Sequence, residues 1–584
     1  MSKTLNNQTV EWNKLPWKQI ERRVFKLQKR IFRASQRGDV KAVRRLQKTL
    51  MRSWSAKCLA TRKVTQDNRG KRTPGVDGLK NLTPKQRMSL VSQLKVTGKA
   101  LPARRVWIDK PGRDEKRPLG IPTMQDRAKQ ALVKLVLEPE WEAKFEPNSY
   151  GFRPGRSAHD AIEAIFKHIN RKEKYVLDAD ISQCFDKIDH TALLEKLNTF
   201  PVLRHQIKSW LKAGVIDFGT FSKTETEAPQ GGVISSLLAN IALHGFEDYI
   251  SSFKKSGRYP NGQANKTSAT VIRYADDFVI LHESKEFVEY LQEKAAEWLG
   301  KMGLELKASK TKICHTSEGF DFLGFNVRQY KVGAYRAAKT SKAGWQEPEN
   351  LGFKALIKPS KKAIKKHLDE IKRIIKAHHG SPQEALISRL NPVIRGWCNY
   401  YSSVSSKDTF SECESLVFSM LKAWGKRKCT RSNSSEIIRK YWRIIGGDNW
   451  AFATEDGHKL IKHQEMPIIR HNKVQGTSSP FDGRDSYWSL RTKSYPGLTP
   501  RVKKLLERQK GKCENCGLLF RNKDVMEVEP KTPLTIGGQD TRSNLQLLHA
   551  HCHDVKGTHE KRQFIEEPCA VKTASTVLKE RVTK

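Results

Sequence analysis

The stretch that decides the fold is Thr270–Leu281, TVIRYADDFVIL, in which two acidic residues stand between two apolar arms. Apolar arms that flank a short polar centre are typical of a strand hairpin, so Asp276 and Asp277 are predicted at its turn. An isolated Asp-Asp pair is most often an ordinary turn. The Asp-Asp pair indicates a catalytic or metal-binding site only if other acidic residues lie close to it.

A second acidic segment lies upstream at Tyr175–Ile181, YVLDADI. Because side chains alternate along a strand, Asp178 and Asp180 are predicted on the same face. Carboxylates that meet at strand ends repel one another, and divalent cations are the usual compensation. Two Mg²⁺ ions about 3.5–4 Å apart activate an attacking hydroxyl and stabilise the leaving oxygen of a phosphoryl transfer. The acidic residues therefore predict nucleotidyl-transfer chemistry.

The charge balance points to nucleic acid as the partner. The 584 residues include 108 Lys and Arg against 62 Asp and Glu, which gives a formal net charge of +46. A field of this size attracts polyanions and argues against an ordinary metabolic enzyme. The sequence shows no apolar stretch of membrane-spanning length, and the opening MSKTLNNQTVEWNK has no signal-peptide core. We expect a cytoplasmic protein with no membrane partner.

The chain has enough apolar residues to fold, with 37% hydrophobic content, and its length predicts several domains. Its ten cysteines are scattered except near the C-terminal end, which favours reduced thiols and one metal site over disulfides. The N-terminal part is predicted to form amphipathic basic helices from Trp12 to about Leu59, followed by a loop at Asn68–Gly78. Mixed α/β structure is predicted from there to about Tyr335, with one strand at Val106–Ile108. Helices are predicted over Lys354–Gly447, one of which ends at Gly380, and a polar linker runs from about Gly476 to Pro500.

The YADD sequence between apolar arms resembles the palm hairpin of reverse transcriptases. An acidic residue followed five residues later by an aromatic one resembles the first metal motif of that family, and counting back from Phe185 selects Asp180 over Asp178. The resemblance implies that Asp180, Asp276 and Asp277 are the catalytic residues and Mg²⁺ ligands. Asp277 is the less essential ligand, and Asp178 is left as a neighbour behind the ligands.

The likeness extends along most of the first 335 residues, and segment by segment the chain resembles group II intron-encoded proteins. The segments follow that family's order: TPGVDG (Thr73–Gly78), RPLGIPT (Arg117–Thr123), SYGFRPGRSAHDA (Ser149–Ala161), APQGGVISSLLANI (Ala228–Ile241), KASKTKI (Lys307–Ile313) and FLGF (Phe322–Phe325). The resemblance implies a multidomain α+β protein: a right-hand polymerase with fingers, a palm with an antiparallel sheet and a helical thumb. A basic helical N-terminal extension and a small zinc-bound ββα module like that of HNH nucleases complete it.

The same resemblance implies the partners and the domain boundaries. Intron RNA, target DNA and dNTPs are the expected partners, in a bacterial ribonucleoprotein associated with DNA. The implied domains are an RNA-binding extension (1–78), reverse transcriptase fingers and palm (79–335), a thumb or maturase X domain (336–450), a DNA-binding region and linker (451–504), an HNH-like zinc module (505–570) and a basic tail (571–584).

Two residues near the acidic cluster receive roles from the resemblance. Phe185 is large enough to stack beneath the sugar of an incoming nucleotide and exclude a 2′-hydroxyl, which would favour dNTPs over NTPs. Lys310, in KASKTKI, matches a family position near the leaving phosphate.

Four more residues are implied at the substrate and template. Lys110 and Arg117 flank the loop PGRDEK, where they would clasp the triphosphate as finger residues. Gln230 and Gly231 lie in a PQGG segment, where the missing Cβ of glycine would let the backbone approach the template base pair.

Ala385–Phe410 resembles the thumb, through which the family grips its intron RNA. Arg389, Arg395, Tyr400 and Tyr401 combine charge with stackable rings, which suits contact with RNA. Aromatic residues at near-helical spacing are more often core, so we expect only some of these rings on the surface.

The C-terminal region carries a predicted zinc site. The predicted ligands are Cys513 and Cys516, in KCENCG, with His549 and Cys552. The identity of the fourth ligand stays open at this point, because His551, His553 and His559 compete for it.

The surrounding sequence resembles an HNH nuclease domain, in which Asn544 and His553 match the N and the second H. Where the family has an Asp-His pair, this chain has Glu529-Pro530. Glu529 and His553 are able to bind a divalent metal, but Pro530 has no group that takes a proton from water. We expect DNA binding to survive in this module and cleavage to be weak.

Three other interpretations compete with an intron-encoded reverse transcriptase. A splicing factor without mobility would not need Asp180, Asp276 and Asp277. A stand-alone zinc nuclease would leave most of the chain unexplained. A retron or defence-type reverse transcriptase would have neither the maturase-like region nor the terminal module.

Overall fold

The computed structural model describes residues 11–109, 116–217, 220–222, 231–258, 264–333, 350–485, 487–488, 491, 498–520, 524–533, 537–539 and 541–553. Lys110, Gln230, His559 and the tail 571–584 lie outside these residues. Of the helices in the described ranges, none combines the length and apolar character that a membrane crossing requires.

The N-terminal region is helical, as its periodicity predicts. Val24, Ile31, Leu46 and Leu50 recur at helical spacing and are buried against the long helix that follows the first sheet. The helices of this region are α1 (Trp17–Gln36), α2 (Val40–Arg52), α3 (Trp54–Arg62), α4 (Pro84–Gln93) and α5 (Met124–Glu142).

A first sheet of four strands follows, in the order β2-β1-β4-β5. β1 pairs antiparallel with β2 and parallel with β4, and it contains the predicted strand Val106–Ile108. The strands are β1 (Ala103–Asp109), β2 (Lys116–Ile121), β4 (Val215–Asp217) and β5 (Thr220–Ser222). Arg117 lies in β2, where its backbone pairs with Ile108.

The central sheet has the order β10-β3-β9-β8 and is antiparallel throughout. Its strands are β3 (Tyr175–Asp180), β8 (Thr270–Tyr274), β9 (Asp277–His282) and β10 (Lys312–His315). Phe278 and Ile280 enter one hydrophobic core, whereas Val279 and Leu281 enter another. β9 is therefore buried on both faces, which explains its continuous apolar run. The predicted hairpin and the predicted upstream strand are both confirmed.

Helices cover the two faces of this sheet. They are α6 (Ala158–Ile169), α7 (Cys184–Lys187), α8 (His190–Leu197), α9 (Pro201–Leu211), α10 (Ser235–Ala242), α11 (Phe246–Ser252) and α12 (Lys285–Gly300). A separate hairpin pairs β6 (Lys254–Arg258) with β7 (Ala264–Ser268).

The region after the central sheet is less helical than predicted. Phe353–Pro359 is a strand, β13, which pairs with β12 (Phe325–Lys331) next to β11 (Phe320–Phe322). The prediction of helix from Lys354 was wrong because FKALIKP alternates buried and more exposed residues and closes a three-stranded sheet. The first helix then ends at Ala377, not at Gly380.

Four helices and a hairpin complete this region. They are α13 (Lys361–Ala377), α14 (Gln383–Tyr401), α15 (Lys407–Lys428) and α16 (Ser434–Tyr441), followed by β14 (Trp442–Ile445) and β15 (Asp448–Phe452). Buried Leu386, Ile394 and Trp424 belong to the core that also holds one face of the central sheet. The hairpin begins inside the stretch that was predicted to be helical.

The segment before the predicted linker, and Arg491 within it, pack on α6. Asp160 of α6 is fully buried and accepts hydrogen bonds from Val474 N at 2.8 Å and from the ring of His471 at 3.0 Å. Arg491 also pairs with this carboxylate. A small terminal unit follows, built from α17 (Pro500–Arg508) and the antiparallel pair β16 (Met526–Pro530) and β17 (Leu545–His549).

Candidate active site and metal centre

The three acidic residues meet at one end of the central sheet. Asp180 ends β3 and is the direct cross-strand partner of Asp277, which begins β9. Directly opposite residues of an antiparallel pair have Cβ atoms about 4.5–5.5 Å apart. Asp276 occupies the turn between β8 and β9, and its carbonyl accepts a hydrogen bond from Ile181 N at 3.2 Å. The backbone therefore brings all three carboxylates to one edge.

The electrostatics of this cluster favour a bound cation. Burial raises the pKa of Asp277 to about 7, and the carboxylates of Asp276 and Asp180 act in the same direction. The Lys310 ammonium forms an ion pair with Asp180. A set of close carboxylates with one lysine fits a divalent ion, because oxygen ligands are those that Mg²⁺ prefers.

Asp178 lies on the side of the sheet edge that faces β10. Its carboxylate is 3.9 Å from the Lys312 ammonium, and burial raises its pKa to about 6. Asp178 is therefore next to the three-acid cluster but has Lys312 as its nearest cation.

A buried arginine holds the turn of the hairpin. Arg273 is 3% exposed, and its guanidinium donates to the carbonyl of Ala275 at 3.1 Å, to the Asn240 side chain at 3.2 Å and to the Ser149 hydroxyl at 2.8 Å. The Asn240 amide donates in turn to the carbonyl of Gly151 at 2.8 Å. Ala275 has a positive φ of 59°, so the turn needs such external support.

Phe185 lies on α7, directly after the central strand β3. Its half-buried ring is 6.2 Å from the ring of Phe152 in an edge-to-face arrangement. Phe152 is 46% exposed and has a positive φ of 60°, although it is a bulky residue. Together the two rings form an apolar surface near the acidic cluster.

Gly231 was predicted to lie close to the template, and in the structure it packs closely against the first sheet. It has a φ of +117°, and an added Cβ would lie 2.7 Å from the carbonyl oxygen of Gly120 in β2. The close approach that the structure describes is therefore to the first sheet. Contact between this segment and a template base pair stays a prediction.

The predicted zinc ligands come together at the C-terminal end. Ligand atoms of Cys513, Cys516, His549 and Cys552 all lie within 4.8 Å of one another. The knuckle turns through Gly517, whose N–H donates to the carbonyl of Cys513 at 2.8 Å. Three thiols and one imidazole in this arrangement fit a structural zinc ion.

The second nitrogen of His549 supports this assignment. Nδ1 lies 3.3 Å from the Cys516 sulfur, and Nε2 lies 3.4 Å from the Asp524 carboxylate. A carboxylate on the far nitrogen is the usual way to orient a metal-binding histidine. His551 instead faces Glu21 of α1 at 3.8 Å, and His553 faces Glu529 at 4.0 Å. The geometry therefore favours His549 as the fourth ligand.

Comparisons with known protein families agree with this order of sites. The chain matches the N-terminal domain of reverse transcriptase over residues 12–94 and reverse transcriptase (RNA-dependent DNA polymerase) over 108–327. It matches the group II intron, maturase-specific domain over 364–442 and HNH endonuclease over 513–559.

Individual relatives cover much of the chain. Protein YkfC of Escherichia coli is 34% identical over 48% of this chain and 82% of its own length. The group II intron-encoded protein LtrA of Lactococcus lactis is 28% identical over 61% of this chain and 69% of its own length. The chain belongs to the group II intron-encoded reverse transcriptase/maturase family. A maturase-like protein of Euglena gracilis is 26% identical over 69% of this chain and 79% of its own.

As a member of this family, the protein is an RNA-directed DNA polymerase with a maturase domain. Two tyrosines of that domain make hydrogen bonds that hold the fold together. The Tyr400 and Tyr401 hydroxyls donate to the carbonyls of Leu323 and Gly324 at 3.1 Å each, which fixes α14 on the β11–β12 turn. Arg389 is exposed and Arg395 is partly exposed on the same helix.

The HNH-like residues of this reverse transcriptase/maturase lie on the β16–β17 hairpin. Asn544 bonds both backbone groups of Thr532, at 2.8 and 2.9 Å, and so fastens the loop between the strands. Pro530 ends β16 opposite Leu545. The match to HNH endonuclease over residues 513–559 includes this hairpin.

Sequence reasoning missed the residues that support the active site. Arg273, Asn240, Ser149 and Gly151 all lie inside segments that match the family motifs or the hairpin, yet no role was predicted for them. The signal was present in SYGFRPGRSAHDA, but only the folded chain shows that this segment runs beside β8, where Tyr150 N donates to the carbonyl of Arg273 at 2.9 Å.

Proposed function

We propose that Asp180, Asp276 and Asp277 hold two Mg²⁺ ions and form the polymerase active site. The observation that carries this proposal is the cross-strand pairing of Asp180 with Asp277 beside the turn that contains Asp276. When bound, the ions supply activation of the primer hydroxyl and stabilisation of the leaving oxygen. The protein's own part is to fix the carboxylates, and Arg273 does so through the turn.

The residues around the cluster would select and orient the nucleotide. We propose that Phe185 lies beneath the sugar and excludes ribonucleotides, and that Lys310 neutralises charge beside Asp180 until the triphosphate binds. Lys110 and Arg117 are proposed to clasp the triphosphate, and Gln230 with Gly231 to approach the template. The half-buried position of the Phe185 ring, next to the end of β3, supports its role.

The domain functions follow from the same proposal. The sheet β2-β1-β4-β5 would belong to the fingers, the central sheet to the palm and helices α13–α15 to the thumb. Intron RNA would contact the basic N-terminal extension and the exposed side of the thumb, where Arg389 and Arg395 lie. RNA contact through these surfaces would let the protein fold its intron for splicing within a ribonucleoprotein.

The terminal module would bind target DNA, at which the polymerase copies the intron. Zinc would stabilise its fold through Cys513, Cys516, His549 and Cys552. Glu529 and His553 are close enough to share a divalent ion, but we propose little cleavage because Pro530 replaces the residue that would act as a base.

The test of the active site is Asp276→Ala in primer extension on an RNA template with dNTPs and Mg²⁺. We expect extension to be abolished and RNA affinity to remain, because RNA folding needs the basic surfaces and not the acidic cluster. Asp248→Ala removes an exposed carboxylate on α11 and is the matched control. Extension by the Asp276 variant at the parent rate would disprove the assignment of this hairpin.

Splicing assistance should be separable from polymerisation. The same Asp276→Ala protein should still promote splicing of the cognate intron at moderate Mg²⁺. Loss of splicing with unchanged RNA affinity would show that the two activities depend on one another.

A further inference from the structure

A basic groove separates the first long helix from the zinc module. One wall is α1, with Arg22, Lys26, Arg30 and Arg33, and the opposite wall includes Lys512 of the zinc knuckle. Pro480 and Trp488 also line the groove, which has a volume of about 640 Å³. We call this feature the basic groove.

The charge on the α1 wall faces outward. Arg22, Lys26, Arg30 and Arg33 recur every three or four residues, so they share one helix face, and all four are exposed. They form no ion pair with the part of the chain that the structure describes. Two other basic residues that line the groove are paired: Lys29 with Asp485 at 3.3 Å, and Arg491 with Asp160.

The two walls meet in a buried contact between α1 and the zinc module. Glu21, on the inner face of α1, accepts a hydrogen bond from Arg62 at 2.7 Å and lies 3.8 Å from His551 of the zinc module. The ring of Trp17 lies 6.2 Å from that histidine and under the guanidinium of Arg62. The groove is therefore built by a docked module and has a defined width.

Aromatic rings are interleaved with the charges. Phe25 projects from α1 between Arg22 and Lys26 and is half-buried, with the Lys29 ammonium 4.8 Å from its ring centre. Trp488 is also half-buried, and its indole N–H donates to the carbonyl of Ser479 at 3.0 Å. A positive groove with rings along it is the arrangement that proteins use for single strands, since charge follows the backbone and bases stack on rings.

We propose that the basic groove binds a single-stranded segment of DNA that leads to the zinc module. Single strands fit better than duplex because the bases of a duplex are stacked on one another and do not offer their faces to Phe25 or Trp488. DNA is the strand we assign because one wall is the module that matches HNH endonuclease. The choice of DNA rests on the proposed DNA-binding role of the module. The new element is the path that the strand takes along α1. We expect this binding to be independent of the DNA sequence, because stacking and phosphate contacts tolerate any base.

The test measures binding of a labelled single-stranded oligodeoxynucleotide by the full-length protein in its ribonucleoprotein, over a series of salt concentrations. Arg22, Lys26 and Arg30 are replaced together by Ala. Loss of three phosphate contacts should reduce the salt slope by about 2 and weaken binding about 10- to 50-fold near 0.15 M salt.

The matched control replaces Arg204, Lys208 and Lys212 together by Ala. These residues are exposed on α9 and directly after it, outside the groove and outside the N-terminal extension, and carry the same charge. The control should keep the parent's affinity and salt slope. Equal losses in both variants would mean that only net charge matters and would overturn the proposal. Melting temperatures of both proteins establish that the two variants fold.

A second measurement identifies the strand directly. Oligonucleotides that carry 5-iodouracil are cross-linked by ultraviolet light, as DNA, as RNA of the same sequence and as duplex DNA. We expect single-stranded DNA to cross-link to Phe25 or Trp488, with loss of the Phe25 adduct in Phe25→Leu. Preferential adducts with RNA or with duplex would overturn the assignment to single-stranded DNA.

The outcomes separate this proposal from the proposed function. A parent protein that binds no DNA would refute the DNA-binding role of the module itself. A parent that binds DNA, with the α1 variant equal to it, would refute only the groove. The affinity of the α1 variant for intron RNA is measured in parallel, because α1 belongs to the extension that is proposed to contact that RNA. A loss of RNA affinity as large as the loss of DNA affinity would assign this helix face to RNA and overturn the groove.

Discussion

Gly151 lies directly beneath the turn that carries Asp276. A Cβ added at this glycine would be 2.3 Å from the backbone nitrogen of Ala275 and 2.9 Å from the carbonyl carbon of Tyr274. Ordinary contact begins at 3.4 Å, so the turn or the Gly151 segment must move by about 1 Å in Gly151→Ala. Backbone atoms cannot rotate away as a side chain would.

The expected effect falls mainly on the chemical step. A misplacement of about 1 Å in a reacting group costs about 100-fold in rate, whereas overpacking costs about 1–3 kcal/mol in stability. We therefore expect kcat for single-nucleotide insertion to fall about 100-fold, while the protein folds and binds RNA. The assay is rapid-quench insertion of one dNTP on a primed RNA template, with a thermal melt of the same preparation.

The control for this prediction is Gly300→Ala, at the end of α12. A Cβ at Gly300 would meet no atom within 4 Å, so the same chemical change should leave the rate unaltered and should not lower the melting temperature. A parent-like rate for Gly151→Ala would refute the argument that the turn is held in register by this contact. A fall in RNA affinity as large as the fall in rate would point to general misfolding.

Three further predictions concern selectivity and the terminal module. Phe185→Val should raise incorporation of ribonucleotides relative to deoxyribonucleotides, and unchanged selectivity would assign the ring to the core alone. Chelation of zinc should unfold residues from about 505 onward, because the few apolar residues of that unit form too small a core without metal. New protease cleavage in this region would show the unfolding, and protection from protease after chelation would contradict it. Bottom-strand nicking of a DNA target by the parent should be weak or absent, since loss of a general base costs about 10²–10⁴-fold, and Pro530→His is the comparison. Efficient parent nicking that His553→Ala abolishes would show that another residue acts as the base.

The parts of the fold that could be predicted are those that local sequence controls. The hairpin around Asp276, the strand that ends at Asp180 and the helices near the N-terminus each have a periodicity that their burial explains. The zinc ligands were predictable because the spacing of Cys513 and Cys516 is fixed by the geometry of a knuckle. His549 was predicted as the fourth ligand and lies with the three thiols, but the sequence left His551 and His553 as competitors, because neighbouring histidines differ only in what they face in the folded chain.

The strand β13 shows where local reasoning fails. FKALIKP is short, and the Lys-rich helix that follows has a strong period, so a window across both segments favours helix. The strand forms because Phe353, Ala355 and Ile357 are buried when it pairs with β12. Such pairing is a tertiary effect, and the distance between β12 and β13 along the chain hides it.

The buried polar residues were the hardest to foresee, and Asp160 shows how such a residue connects segments that are far apart in the sequence. Asp160 accepts from Ser157 N at 2.8 Å, as a helix cap would, but its other oxygen bonds Val474 N and the His471 ring. A buried carboxylate with these partners has its pKa held well below the usual range, by His471 and Arg491 against the effect of burial. The segment that contains His471 and Val474 is therefore fastened to α6, while Glu21 and Trp17 of α1 lie beside His551 of the zinc module. Asp160 thus holds one border of the basic groove through Arg491, and the contact of α1 with His551 closes the other.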